Sequence, residues 1–200
     1  MPRKARKLII ASGSLYHIVC RGVNQRCIFR APQDYRKFLS IVAKAKKKFK
    51  FYFYSYNLLP NHFHLYLEVG KISISKIMHY INSHYAIYFN RRYKRVGHLF
   101  QDRFYTSLID TEFYFWAAGS YIDLNAFRAG LCEKPENHPW SSFSIYAQKE
   151  YDGDLIDRDR FLRYGGEEKI EELRQNYLKF VREEAKQKKR PKFIKSEKFV

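Results

Sequence analysis

Two histidines one residue apart, His62 and His64, open the apolar run HFHLYLEV from 62 to 69. Side chains alternate between the faces of a β-strand, so a strand here sends both imidazoles to one side and Phe63 to the other. That makes a two-ligand arm for a metal ion. Spacing alone leaves two other readings open, paired surface histidines and hydrogen-bonded core histidines. A second constellation, Ser120-Tyr121-Ile122-Asp123-Leu124-Asn125, holds a phenol and a carboxamide four residues apart. On a helix the two share a face, so Tyr121 and Asn125 can approach one cation together. A metal that polarises a phosphoryl oxygen opens the phosphorus to attack, and a positioned tyrosine hydroxyl is a competent nucleophile, with a phosphotyrosine linkage as product. Tyr121 is one of 17 tyrosines, so by residue type alone it is as readily a packed core aromatic.

The elements that must position these groups follow from the apolar pattern. Residues 14 to 23, SLYHIVCRGV, read as a first strand entering a turn at Gly22. Asp34 then precedes Tyr35, Phe38, Leu39, Ile41, Val42 and Ala45 at helical spacing, which predicts a helix capped by Asp34, with Lys44, Lys46, Lys47 and Lys48 at its cationic C-terminal end. FYFYSYNLL from 51 to 59 and HFHLYLEV, joined at Pro60-Asn61, read as a hairpin. A second helix is expected from Ser75 to about Tyr93, a strand over 104–109, and a third helix from Thr111 and Glu112 to about Leu124. The order strand, helix, strand, strand, helix, strand, helix predicts an α+β fold, a ferredoxin-like antiparallel sheet with helices on one face. The other face of such a sheet is free unless something covers it. Residues 147–200 read as a charged C-terminal extension, helical from about Glu167 to Lys189 and then disordered.

Lys and Arg number 38 against 20 Asp and Glu, a formal net charge of +18, which calls for a polyanionic partner. The chain lacks a lengthy uncharged apolar run and a lipidation motif, so membrane insertion is not expected, and LIIA after the basic start is too short for a secretory signal. Three cysteines without CxxC spacing, Cys20, Cys27 and Cys132, suggest neither a disulfide framework nor a zinc knuckle; a reducing cytoplasm, in association with the nucleoid, is the expected location. Phosphate contacts are expected from Lys47 and Lys48, from Arg91, Arg92, Lys94 and Arg95, from Arg103, and from an N-terminal arm with Arg3, Lys4 and Arg6. Solvated helix ends are the alternative for each cluster. His17, His79, His84, His98 and His138 are scattered and read as structural or exposed, and Trp140 reads as an anchor at a helix start.

Five motifs in order carry a resemblance: Tyr16-His17 with Arg21-Gly22-Val23-Asn24; Leu59-Pro60-Asn61-His62-Phe63-His64-Leu65; Gly97-His98-Leu99-Phe100-Gln101-Asp102-Arg103-Phe104; Tyr121-Ile122-Asp123-Leu124-Asn125 with Arg128-Ala129-Gly130-Leu131; and Pro139-Trp140-Ser141-Ser142. Together they resemble the REP-associated tyrosine transposases, relatives of the single-strand insertion-sequence transposases marked by His-hydrophobic-His and one tyrosine. The resemblance covers about residues 3 to 146, so residues 1–146 are expected to form that domain. It implies cleavage of single-stranded DNA near a hairpin, with the tyrosine joined to a 5′ phosphate and a free 3′ hydroxyl released. By position it implies His62 and His64 as the metal pair, Tyr121 as nucleophile, Asn125 as the polar residue completing the metal site, and Mg²⁺ or Mn²⁺ as the ion. Two imidazoles by themselves favour Mn²⁺ or Zn²⁺ over Mg²⁺, whereas amide, phosphate and water oxygens suit a hard ion.

The chain departs from the family's pattern in two places. Ala126 follows Asn125 where relatives commonly have Pro, which leaves the end of the tyrosine helix open. Asp123 stands where the family often has His, and its carboxylate is expected to point away from the Tyr121 face. Two other functions compete. One is a non-catalytic nucleic-acid-binding regulator that uses the FYFYSY strand as a stacking platform, and the other is a metal-dependent phosphodiesterase that uses water. Relatives include both dimers that exchange the tyrosine helix and monomers, so a homodimer is open.

Overall fold

Near-continuous apolar and aromatic runs, interrupted at Pro60-Asn61, produce a four-stranded antiparallel sheet. The computed structural model describes residues 13–109 and 114–187. The strands are β1 (Ser14–Arg21), β2 (Tyr52–Leu59), β3 (His62–Val69) and β4 (Tyr105–Ile109), in the spatial order β2-β3-β1-β4. Helices α1 (Pro32–Phe49) and α2 (Ile74–Arg92) make the crossovers, which gives the α+β, ferredoxin-like arrangement expected from the element order. The N-terminal arm with Arg3, Lys4 and Arg6, the helix start expected at Thr111 and Glu112, and the basic tail after Gln187 lie outside the described residues.

Helix α1 starts earlier than the sequence suggests, and Asp34 is not its cap. Pro32 occupies the first turn, where its missing N–H costs nothing, and Ala31 is the boundary residue. Asp34, with no solvent exposure, reaches back and accepts from the backbone N–H of Arg30 (2.8 Å) and Ala31 (3.0 Å). The same carboxylate accepts from the hydroxyls of Tyr88 (3.0 Å) and Tyr93 (2.7 Å) at the end of α2, and Arg92 pairs with it at 3.4 Å. The start of α1 is thereby tied to the end of α2, and the two helices run antiparallel over one face of the sheet. Phe38 meets Phe63 beneath them.

The second face is covered as well. Helices α3 (Phe115–Asp123) and α4 (Asn125–Arg128) follow β4, then come α5 (Phe143–Ala147), α6 (Arg158–Arg163) and α7 (Ile170–Lys186). The residues after 147 are packed into the same core as the sheet: Phe161, Leu173, Tyr177 and Val181 are fully buried. Tyr54 and Tyr66 pack against Phe115 and Phe161, and Arg160 pairs with Glu68 at 2.9 Å. Gly119 is where α3 meets this layer. A Cβ there would lie 2.6 Å from Cζ of Phe161, so only glycine permits the approach. The exposed edge of β2 is closed by Ser141 and Ser142, with Ser142 N–H donating to the Tyr56 carbonyl at 3.0 Å and Leu58 N–H to the Trp140 carbonyl at 2.9 Å. Trp140 itself stacks on Tyr35 at 4.5 Å between ring centroids, bridging this segment to α1.

Two outcomes follow for stability. Asp34→Ala strands two backbone donors and two tyrosine hydroxyls and is expected to lower the unfolding free energy by about 3 kcal/mol; a loss of less than about a tenth of that in urea unfolding would remove Asp34 from this role. Gly119→Val drives a branched side chain into the Phe161 ring and is expected to cost about 1–3 kcal/mol in the same measurement.

Candidate active site

The register of β1, β2 and β3 decides which side chains meet. Arg21 lies opposite His62, Val19 opposite His64, and Asn57 on the other side of His64. Opposed residues share a face, so His17, Val19 and Arg21 line up with His62, His64 and Tyr66 on the face that α3 covers. His62 and His64 therefore do point the same way, with ring centroids 5.1 Å apart, while Phe63 is buried on the opposite side under α1.

Both imidazoles are held by their Nδ1 atoms. His62 Nδ1 is 2.7 Å from Asn61 Oδ1, an acceptor, so Nδ1 carries the hydrogen and Nε2 keeps its lone pair. His64 Nδ1 is 2.9 Å from Nε2 of His17, whose ring lies edge to edge and nearly coplanar with it at 5.2 Å between centroids, and His64 Nε2 is buried with no hydrogen-bond partner. Burial pushes His17 down to about 3. Burial, aided by the positive charge of Arg21, pushes His62 down to about 4. His64 is held well below its ordinary value by burial first and then by the neighbouring His62 and His17. All three rings are thus neutral near pH 7, the state in which an imidazole can ligate a cation.

Helix α3 brings Tyr121 to this pair. The residue is 4% exposed, and its ring meets His17 edge-on at 5.7 Å and His64 at 6.2 Å, with the Arg128 guanidinium 5.9 Å from the ring centroid. Asn125 joins through the helix backbone: its Nδ2 donates to the Tyr121 carbonyl at 2.8 Å, which leaves Oδ1 as the atom available to a cation. The third helix ends where the sequence suggests, at about Leu124: α3 stops at Asp123 and the short α4 starts at Asn125, with no proline at 126. Gly130, at φ +71°, then ends α4, with Leu131 N–H donating back to the Ala126 carbonyl.

Asp123 points away from Tyr121, as its helical position requires. Its carboxylate accepts from Ser55 Oγ (2.6 Å), Ser142 Oγ (3.0 Å) and the Tyr177 hydroxyl (2.7 Å). Burial raises it to about 6, and the three hydroxyls pull it back toward the ionised form. Asn57 adds a clamp from β2, donating through Nδ2 to the carbonyls of Ile122 (2.9 Å) and Asp123 (3.1 Å).

The basic clusters separate. Arg91, Arg92, Lys94 and Arg95 lie at the end of α2 that meets the start of α1, which is also the end of the sheet where β3 begins with His62. Arg103 follows a segment tied to that same end through Gln101 N–H and the Arg21 carbonyl (2.9 Å). Lys47 and Lys48 sit at the opposite end of α1, about 27 Å away for a helix of this length. Lys46, in the same run, is engaged internally with Asp157 at 2.9 Å. The FYFYSY strand is not a stacking platform: Phe51, Phe53, Tyr54 and Tyr56 are buried, and Tyr52 alone of its aromatics is exposed. The sequence reading missed His17, which it took as an isolated structural histidine. Its two-residue offset from Val19 becomes informative only once β1 is known to pair with β3.

Among the described residues no group of three or more His, Cys, Asp and Glu is arranged to hold a metal ion. A divalent cation fits the histidine pair on one observation: His64 Nε2 is buried on a neutral ring and has no hydrogen-bond partner.

No curated protein matches the chain. A solved structure described as the REP associates tyrosine transposase bound to a REP hairpin superposes with a TM-score of 0.61 at 18% identity, over 77% of this chain and 93% of that chain. At that identity the likeness speaks for the fold. The family profile described as "Transposase IS200 like" matches residues 11–125, more than half the sequence, from before β1 through His62, His64 and Tyr121 to Asn125. With the fold and this constellation in place, the chain belongs to the IS200-like transposase family.

Proposed function

We propose that the chain is a single-strand DNA endonuclease and transesterase that cuts near DNA hairpins with Tyr121 as nucleophile. The observation that carries this reading is the placement of the Tyr121 ring 6.2 Å from that of His64, whose Nε2 is buried and unpartnered. His62 and His64, through Nε2, and Asn125, through Oδ1, would hold Mg²⁺ or Mn²⁺. Lewis-acid polarisation of the scissile phosphate is the chemistry such an ion supplies when bound.

The remaining steps belong to the chain's own groups. The Tyr121 oxygen attacks phosphorus, the bond from phosphorus to the 3′ oxygen breaks, and the DNA 5′ end stays esterified to tyrosine. The phenol gives up its proton and the departing 3′ oxygen takes one up, leaving a free hydroxyl. Attack of a second 3′ hydroxyl on the phosphotyrosine breaks the bond from phosphorus to the Tyr121 oxygen and rejoins the strands, the hydroxyl giving up its proton and the phenol regaining one. Tyr121 is almost fully buried among His17, His64 and Arg128, which limits competition by water for the same phosphorus. In this reading Arg21, beside His62, and the cluster Arg91, Arg92, Lys94 and Arg95 contact the DNA phosphates, with Arg103 beyond them.

Incubation with Mn²⁺ and labelled single-stranded hairpin DNA, followed by a denaturing gel, tests the nucleophile. A covalent protein–DNA band is expected with the wild type and none with Tyr121→Phe, while binding of the same DNA persists. Cleavage by both proteins without that band would favour the phosphodiesterase that uses water, and binding without cleavage over varied hairpins would favour the regulator.

The placement of the basic clusters makes a second expectation. Joint replacement of Arg91, Lys94 and Arg95 by Ala should weaken DNA binding and flatten its dependence on salt by up to about 2 in log–log slope, at about 0.7 per lost phosphate contact. Lys47→Ala with Lys48→Ala, at the far end of α1, should leave both nearly unchanged. The reverse ranking would place the DNA on the opposite end of the sheet.

A further inference from the structure

The reaction proposed above uses His62, His64, Tyr121 and Asn125 and leaves one buried histidine of the same face without a task. His17 is 2% exposed, lies on β1 two residues before the partner of His64, and touches two members of the site at once. Its Nε2 is 2.9 Å from His64 Nδ1, the rings lie 13° from parallel, and its edge meets Tyr121 at 5.7 Å.

A hydrogen bond between two neutral imidazoles has one proton and two arrangements. If His17 Nε2 donates, His64 Nδ1 accepts and the His64 proton sits on Nε2, where it is a buried donor facing no acceptor. If His64 Nδ1 donates, His17 Nε2 accepts and His64 Nε2 is a bare lone pair. Among the described residues no group hydrogen-bonds His64 Nε2 in either case. A cation can satisfy the second arrangement and not the first, and a ligating histidine is commonly fixed in this way through its other nitrogen.

Resting on the metal reading of the site, we infer that His17 is a positioning residue: it accepts from His64 Nδ1 and so holds His64 in the tautomer that turns a bare Nε2 toward the metal position beside Tyr121. It is the counterpart of Asn61, which does the same for His62 from the preceding residue. The two ligands thus have different orienting groups, a local carboxamide for the outer imidazole and a cross-strand imidazole for the buried one.

The test reads the tautomer and the metal separately. Long-range ¹H–¹⁵N spectra of histidine-labelled, metal-free protein should show wild-type His64 protonated on Nδ1. In His17→Leu, which lacks the acceptor, that tautomer should give way to the Nε2–H form, and Mn²⁺ affinity by calorimetry without DNA should fall roughly 10–100-fold. His17→Gln places a carbonyl oxygen near the former Nε2 and should keep both the tautomer and most of the affinity. The assignment to His17 is overturned if wild-type His64 carries its proton on Nε2, or if the Leu and Gln variants behave alike, whether both are impaired or both are intact. Should His17→Leu fail to fold by circular dichroism, the wild-type tautomer and the Gln variant still decide. Wild-type protein that takes up no Mn²⁺ would overturn the metal reading itself, an outcome distinct from a wrong tautomer in metal-free protein.

Discussion

Elements far apart in the sequence meet at the Asp123 carboxylate: β2 through Ser55, the segment before α5 through Ser142, and α7 through Tyr177. With 1% exposure, the carboxylate has almost no water to hydrogen-bond, so its oxygens must be satisfied by these hydroxyls or the helix cannot stay where it is. Asp123 lies two positions after Tyr121 on α3, about 200° around the helix axis. Fixing one side chain fixes the direction of the other. When Asp123 faces β2 and α7, Tyr121 faces His17 and His64. A polar anchor with no part in the chemistry thereby sets the rotation of the helix that presents the phenol.

That anchor makes the C-terminal helices part of the site's frame. Tyr177 supplies one of the three hydroxyls, and Phe161 fills the space that Gly119 leaves open one turn along α3. Arg174, also on α7, donates to the carbonyls of Tyr146 and Ala147, which steadies the segment that carries Ser142. The geometry at Tyr121 depends on residues some fifty positions away through contacts that bury apolar surface and pair every oxygen of Asp123, and not through any contact with the histidines themselves. A sheet of four strands gives the imidazoles their common face. The second helical layer gives that face something to look at.

Much of this was legible in the sequence because it rests on local period. Strand alternation put His62 and His64 on one face, helical spacing brought Tyr121 and Asn125 together, and Pro60-Asn61 marked the hairpin. Three things were not legible. The place of His17 depends on the pairing of β1 with β3, a contact across 47 residues that no local pattern encodes. The start of α1 was misread because Asp34 satisfies donors behind it, from the third helical position, where Pro32 and not a capping side chain begins the helix. The residues after 147 looked like an appendage because their charged positions dominate the composition, while the apolar stripe of Leu173, Tyr177, Leu178 and Val181 says only that some surface is buried, not which. Ala126 posed a different difficulty. The chain keeps helical hydrogen bonds across Leu124, from Leu124 N–H to the Ser120 carbonyl and from Arg128 N–H to the Leu124 carbonyl, so the short α4 forms without a proline at 126.

The net charge of +18 bears on more than attraction of DNA. An imidazole can ligate a metal only when neutral, and in a buried site desolvation alone favours that state. Arg21, directly across the strand from His62, adds a positive charge that works in the same direction. A carboxylate in that place would instead favour the protonated ring and, in the proposed reaction, would repel the phosphate. On that reading one cation beside the histidine pair serves two demands that would otherwise conflict: it keeps the imidazole deprotonated, and it leaves a positive neighbour for a phosphate. The same logic fits the placement of Asp123, two residues from the proposed nucleophile, which is turned to the far side of α3 and closed off by three hydroxyls. Negative charge is needed there to hold the helix, and its burial behind the helix keeps it away from the phosphate.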